Sequence, residues 1–360
     1  MSGKFRIIDT GVREGRSNIA FDAALIDERQ TGNVPDTIRF LRFPPTALIG
    51  RHQDLSREVN LDYCRENGVG VVRRITGGGA IYLDEGQLGW ELVFHRASLG
   101  IAALPDLARE ICNAAAAGLS KLGVDARFRP RNDIEVDGRK ISGTGGFFDG
   151  DILIYQGTVL VDMNPEQMTS ALNIPERKLA KRNLDSAAQR VVTLKELLGR
   201  DLPDLDTIKS ALVEGFSEGL GITAVDGEIT TGEEIMAKRY FDEEIGTDEF
   251  VADIDNPSAE AETLAGSHTG PGGTVDAFLK LEGPTGQVLQ RALLSGDFFV
   301  TPPRVVFDLE ASLQGTRIAD IDSTVDRFFA DSDIDMLSVT VDDFKSSIAD
   351  ALAKRGANDV

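Results

Sequence analysis

The sequence predicts an α/β (α+β) chain: a mixed sheet flanked by helices, followed by a small C-terminal α+β accessory domain. Three observations predict it. Short strand-like runs alternate with helical patterns through the first half, a two-residue hairpin turn sits within them, and a polar stretch rich in Gly, Pro, Ser and acidic residues interrupts the later sequence. The 360 residues exceed one average domain and fit two, on a prior of about 150 residues each.

The elements follow in order. Residues 18–26 read as a capped helix, with Ser17 or Asn18 as N-cap. Residues 37–43 and 47–50 read as strands separated by the Pro44-Pro45 turn, and residues 69–74 as a strand that runs into Thr76-Gly77-Gly78-Gly79. Leu88, Trp90, Leu92 and Phe94 alternate, which predicts a half-buried strand. Leu104, Leu107, Ala108, Ile111, Ala115, Gly118, Leu119 and Leu122 recur at helical spacing, so that segment packs one face on the sheet. Cys112 within it reads as a buried structural thiol.

Asp137-Gly138 is a strong two-residue hairpin signal between residues 132–136 and 139–143. In the tight register Val136 faces Arg139, Glu135 faces Lys140, Ile134 faces Ile141 and Asp133 faces Ser142. Opposed residues share a face, so Asp133, Glu135, Lys140 and Ser142 would lie together, with Ile134, Val136 and Ile141 toward the core. A strand over 152–161 follows. The division expected is a first unit over 1–250, a linker over 251–273 and an accessory domain over 274–360, with a hairpin from 275–282 and 288–299 and helices near 305–313 and 341–352.

Composition excludes several function classes. The formal net charge is −21, which repels nucleic acid and anionic membranes. Acidic residues spread along the chain with Arg outnumbering Lys suit a protein solvated in concentrated salt, where repulsion is screened over a few Å. No run reaches the roughly 20 apolar residues of a membrane span, and the first residues lack an apolar signal core, so a cytoplasmic location is expected. Two cysteines and three histidines, scattered, argue against a zinc site and give no support to a Ser-His-Asp triad.

Two segments carry chemistry. In Arg73-Arg74-Ile75-Thr76-Gly77-Gly78-Gly79 the glycines allow close backbone approach, their N–H groups can cradle an anion, and the arginines add fixed positive charge. A plain tight turn is the alternative, and neither a Walker-type Gly-Lys-Ser/Thr nor a dinucleotide fingerprint occurs. Lys140, sharing a strand face with Asp133, reads either as an exposed ion pair or as a phosphate contact.

The two segments and their spacing resemble the lipoate–protein ligase family: Arg73-Arg74-x-Thr-Gly-Gly-Gly, then Asn132-Asp133-Ile134 through Gly138-Arg139-Lys140-Ile141-Ser142-Gly143, then Gly157-Thr158. Gly50-Arg51-His52-Gln53, the helix over 18–28, Lys178-Leu179-x-Lys181 through Arg190-Val191-Val192-Thr193-Leu194, and the C-terminal Gly296-Asp297-Phe298-Phe299 with Leu309-Glu310-x-x-Leu313-x-Gly315 extend the match over nearly the whole chain.

The resemblance implies a biotin/lipoate ligase-like catalytic domain and a two-step reaction. ATP activates lipoate as an acyl-adenylate, and the acyl group passes to a carrier lysine in a lipoyl domain of a 2-oxoacid dehydrogenase E2 subunit or in the glycine cleavage H protein. By the same resemblance Lys140 is the catalytic cation and Asp133 the Mg²⁺ ligand. Asn132, Asp133, Lys140, Lys178 and Lys181 take the nucleotide, and Arg73, Arg74, Thr76, Gly77, Gly78, Gly79, Gly143, Gly157 and Thr158 take the acyl group. Leu83 and Gln156 stand where many members carry His. The competing readings are an octanoyltransferase fed by acyl carrier protein through a covalent cysteine, a biotin–protein ligase, and a non-catalytic module that docks lipoyl domains. The first needs a thiol near the hairpin, where this chain has Phe128-Arg129-Pro130-Arg131.

Overall fold

The computed structural model describes residues 3–101, 103–130, 132–173, 190–283, 286–331, 334–336 and 339–355. The first region contains strands β1 (Lys4–Val12), β2 (Thr37–Arg42), β3 (Thr46–Ile49), β4 (Gly70–Arg73), β5 (Ile81–Leu83), β6 (Gln87–His95), β7 (Arg127–Arg129), β8 (Asp133–Val136), β9 (Arg139–Asp149), β10 (Ile152–Leu160) and β11 (Thr223–Asp226). An 8-stranded sheet runs in the order β11-β1-β2-β6-β10-β9-β8-β7, and β4-β3-β5 form a smaller one. Parallel pairing of β1 with β2 and β11, against antiparallel pairing from β2 through β8, makes the large sheet mixed.

Helices cover both faces. On one lie α1 (Gly15–Gln30) and α4 (Thr231–Tyr240), which pack Phe21, Ala24, Leu25 and Ala237 on Val93, Phe147 and Ile154. On the other, α2 (Leu104–Ser120) and α3 (Leu205–Leu220) bury Leu107, Ile111, Leu212 and Phe216 against Trp90, Leu92, Phe148 and Tyr155. Each fully buried Leu or Phe contributes about 1.5–3 kcal/mol. The two helices approach closely because small residues meet: a Cβ on Gly118 would lie 2.6 Å from the Ala211 carbonyl oxygen. β6 is therefore buried on both faces rather than half-buried, since its odd-numbered residues lie under α1.

The start of α1 differs from the expectation. Glu14 is the N-cap and accepts from the Ser17 amide at 2.9 Å. Asn18 lies one turn inside, where its amide donates to the carbonyls of Arg13 and Arg42.

In the second region β12 (Leu264–Gly270), β13 (Gly273–Glu282) and β14 (Val288–Gly296) form an antiparallel sheet backed by α5 (Val305–Leu313), α6 (Ile321–Ala330) and α7 (Val341–Ala353). The short strands β15 (Val300–Thr301) and β16 (Asp335–Met336) pair beside it. The accessory sheet thus begins inside the stretch read as linker: Leu264–Gly270 is polar because one edge of β12 faces solvent, yet it pairs with β13 throughout. The two regions dock through Arg51 and His52. The Arg51 guanidinium lies 5.0 Å from the Phe250 ring and 4.8 Å from the Phe307 ring, and His52 stacks on Phe298 at 5.4 Å. Gly78 N–H donates to the Phe298 carbonyl at 2.8 Å, and Arg57 pairs with Asp276 at 2.7 Å. Among the described residues no helix is long and apolar enough to cross a membrane.

Candidate active site

A cleft of about 840 Å³ opens on the α1 face of the large sheet, between that face, the small sheet and the accessory region. Its lining includes Arg74, Thr76, Gly79, Asn132, Asp133, Lys140, Gly143, Gly157 and Thr158, so most residues singled out in the sequence come together.

The Asp137-Gly138 turn adopts φ 51° and 76°, the left-handed pair a tight hairpin demands. The register beyond it differs from the expectation. Glu135 faces Lys140, but Ile134 faces Ser142 and Asp133 faces Gly143, because Ile141 is an extra residue in a bulge. Ile141 and Ser142 are consequently both buried, and Ser142 leaves the polar face. Asp133 and Lys140 still meet: Nζ stands 2.9 Å from Oδ1. Gly143 makes room for this, since a Cβ there would lie 2.5 Å from Nζ. Arg129 pairs with the other Asp133 oxygen. Burial works against the charge of Asp133, yet Lys140 and Arg129 outweigh it and hold the carboxyl below the usual range. Asn132 is tied down by a 2.7 Å bond from its amide to the Thr144 carbonyl.

The glycine loop is organised by the two arginines in different ways. Arg74 donates to the carbonyls of Leu48, Gly77 and Gly79, stapling the loop from within the cleft wall. Arg73 is fully buried outside the cleft, where the carbonyls of Gly50, Arg51, Gln53, Phe250, Val251 and Ile254 take its donors. It has nothing left to offer a substrate. Side chains alternate along β4, so the neighbour of Arg74 points away from it. Gly77 and Gly78 are likewise turned to the accessory region: a Cβ on either would collide with the Phe298 backbone or the Phe299 ring. Lys178 and Lys181 lie outside the described residues. Arg190 and Val191, just after them, do line the cleft, and Val192 N–H donates to the Lys140 carbonyl at 2.9 Å.

Asp22 and Glu91 line the cleft with Arg39 between them, and none of the three was singled out from the sequence. Arg39, fully buried, is bound by Asp22 at 2.6 Å and Glu91 at 2.7 Å, with Asn18 at 2.8 Å. Gln156 donates to Asp22 at 2.8 Å. Burial raises both carboxyls, Glu91 well above its ordinary range, against the pull of Arg39. Charged residues inside otherwise apolar strands were the available signal. The accessory region adds Phe299, Asp297 and the turn from Thr269 to Thr274 as a further wall.

Neither cysteine lines the cleft. Cys64 is buried beneath the small sheet, and Cys112 is wholly buried on α2, bonded to Thr144 and Tyr155 at 3.3 Å. Burial raises both thiols. Both oxygens of Asp133 are engaged by cations, Oδ1 by Lys140 and Oδ2 by Arg129, and among the described residues no group of three His, Cys, Asp or Glu is arranged to hold a metal.

Comparison with known proteins places this geometry. The model of the lipoyl protein ligase A/B catalytic domain matches residues 14–217. The octanoyltransferase LipM of Symbiobacterium thermophilum is 30% identical over 271 residues, covering 69% of this chain and 98% of that protein. A bi-partite lipoate protein ligase from Thermoplasma acidophilum, solved in a study of it and its E2 lipoyl domain, is 29% identical with a TM-score of 0.62, covering 70% of this chain and 97% of its own. A P. falciparum LipL1 in complex with lipoate shares the fold over 92% of this chain and 95% of its own, with a TM-score of 0.69 and 16% identity.

Proposed function

The chain belongs to the lipoyl protein ligase A/B catalytic-domain family, and we propose that within it this protein is an ATP-dependent lipoate–protein ligase. One observation carries the reading: the cleft presents a lysine ammonium, Lys140, and no thiol.

A carboxylate becomes an acyl-adenylate when one of its oxygens attacks the α-phosphorus of ATP and the bond to pyrophosphate breaks. The nitrogen of a carrier lysine then attacks the acyl carbon, the bond to AMP breaks, and an amide forms with loss of a proton from the amine. Neither step needs a protein nucleophile; both need fixed positive charge where negative charge gathers. Lys140 supplies it, held by Asp133 on the adjoining strand, and a well-placed donor of this kind is worth about 3–4 kcal/mol. Positioning adds the rest. Asp133, Asn132 and Lys140 form the nucleotide end of the cleft, and Thr76 and Gly79 with Gly143, Gly157 and Thr158 line the acyl path. Mg²⁺ binds ATP enzymes through one or two carboxylates plus phosphate and water oxygens; Asp133 is the carboxylate at that end, it would take the ion by releasing Arg129 from Oδ2, and the ion would neutralise phosphate charge. The carrier is a lipoyl domain, in keeping with the E2 lipoyl domain of the Thermoplasma system.

The relatives named octanoyltransferase make thioester-fed transfer the competing chemistry. Working through a covalent cysteine, it needs a reachable thiol, and Cys112 lies behind the sheet with Cys64 beneath another. The test is pyrophosphate release from ATP and lipoate by wild type and Lys140→Ala. Lipoate-dependent release that falls about 10²–10³-fold in the variant is expected. No release from folded wild-type protein, with octanoyl transfer from acyl carrier protein instead, would overturn the ligase reading.

A further inference from the structure

The last strands of the large sheet carry a row of charges beyond Lys140, on the side away from the acyl path. Arg129 on β7 pairs with Asp133 on β8, and Asp133 pairs with Gly143 on β9, over which Lys140 Nζ lies. All four residues line the cleft. Gly157 and Thr158 stand on β10, on the other side of β9. Strands succeed one another at about 4.8 Å. Crossing them in order, the cleft runs from the acyl path on β10 and β9, over Lys140, to Asp133 and then to Arg129.

The Arg129 guanidinium donates to Asp133 Oδ2, the oxygen opposite the one that Lys140 takes, and its other terminal nitrogen lies 3.4 Å from a Glu135 oxygen. β7 has other anchors: its backbone pairs with β8, and Phe128 packs on the main core. Arg127, on the same strand, pairs with Asp125, and those side chains are 75% and 69% exposed. The side chains of Arg129 and Asp133 are 27% and 18% exposed. Arg129 is thus the arginine that this strand turns into the cleft. The oxygen it covers is the one a metal on Asp133 would take, and a guanidinium released from it stays at the same wall beside Glu135.

We propose that Arg129 is the cation for the leaving pyrophosphate: it covers Asp133 until metal-bound ATP arrives, then moves from the carboxylate to the β- and γ-phosphate oxygens. This rests on the reading of Lys140 as the junction of acyl group and α-phosphate. There a carboxylate oxygen bonds to the α-phosphorus, the bond from that phosphorus to the bridging oxygen breaks, and the electron pair leaves with pyrophosphate. Attacking and leaving oxygens lie roughly in line on either side of the phosphorus. The acyl path reaches Lys140 from β10, so the leaving group departs toward β8 and β7, where Arg129 stands in the wall. A guanidinium fork matches phosphate oxygens in pairs and neutralises the charge that gathers as the bond breaks. Asp133 is not left bare, because it exchanges one cation for another.

The experiment uses Mn²⁺ as a spectroscopic stand-in for Mg²⁺, followed on the full chain by loss of the free-ion paramagnetic resonance signal, with and without ATP. Wild type, Arg129→Gln and Arg129→Lys are compared, and pyrophosphate release with lipoate is measured beside them. Mn²⁺ alone competes with Arg129 for Asp133, so Arg129→Gln binds it about tenfold more tightly than wild type, the worth of one bond to a charged group. With ATP the order reverses. The glutamine variant binds Mn²⁺-ATP about tenfold more weakly, and its kcat for release falls about 10²-fold with KM for lipoate unchanged. Arg129→Lys keeps a point charge without the fork and falls between on each measure; its reversal decides the matter if the glutamine variant fails to fold. An arginine that serves only the fold moves both Mn²⁺ affinities the same way or neither. That result, with wild type releasing pyrophosphate, overturns this inference alone. Wild-type protein that releases none overturns it together with the ligase reading.

Discussion

Lys140 Nζ stands 2.9 Å from Asp133 Oδ1, across a hairpin whose bulge at Ile141 leaves the two side chains on one face. The pair is partly open to solvent, so its energetic worth to the fold is small, and its importance is orientation. Asp133→Asn is expected to lower pyrophosphate release by about tenfold or more while shifting the urea midpoint little. A double-mutant cycle with Lys140→Ala, read by pyrophosphate release, should show strong non-additivity; fully additive losses would mean that the two residues act separately.

Phe299 sits where side chains on Gly78 and Gly145 would go. Gly145→Ala should overpack that contact at about 1–3 kcal/mol, and Phe299→Ala should rescue it. Gly78→Ala meets the same ring but also imposes a side chain at φ 93°, a conformation costing about 1–2 kcal/mol for an L residue. Rescue there should be incomplete. Thermal melts of the four variants check this, and equal rescue at both glycines would contradict it.

His52 is buried between Phe298 and Phe307, and burial, then the cations of Arg51 and Arg73, push its imidazole down to about 3. A base whose folded value is depressed destabilises the fold wherever the unfolded form is protonated. Stability linked to His52 is therefore complete above about pH 6.5 and falls as pH drops toward 3, by about 5 kcal/mol in all. His52→Phe should flatten the pH dependence of urea unfolding between pH 6.5 and 4 relative to wild type. An unchanged slope would show that the imidazole is not sealed off.

Arg73 supports six carbonyls and no ligand. Removing it strands those acceptors in the interior, at about 1–3 kcal/mol for each left unsatisfied. Arg73→Ala is expected to lose several kcal/mol in urea melts and to bind lipoate normally in whatever fraction remains folded. A stable variant with impaired binding would return Arg73 to the substrate.

The hairpin and the glycine loop were legible because their signals are local: Asp137-Gly138 fixes a turn by its own backbone preferences, and three glycines mark a close approach. The bulge was not, since nothing in Lys140-Ile141-Ser142 says which of two apolar-compatible registers the sheet will select. Arg73 and Arg74 look equivalent in sequence, and only the burial of β4 sends one inward. Asp22, Arg39 and Glu91 are far apart along the chain, and their meeting depends on the strand order β2-β6-β10, which pattern alone does not supply. The accessory wall was hidden for a similar reason. Composition marked a polar stretch, but docking through Arg51, His52 and Phe298 is a property of two surfaces rather than of either segment.

That wall has a consequence for how the protein is assembled. The turn from Thr269 to Thr274 and Phe299 adjoin Val275 and Phe298 of one hydrophobic core, while the rest of the cleft is built on others. With both on one polypeptide, closing the cleft is an intramolecular event, governed by an effective concentration on the order of millimolar for a short tether. Were the two pieces made as separate chains, the same cleft would be complete only as often as they found each other. Its occupancy would then follow their abundance. Joined, the enclosure is independent of how much protein is present.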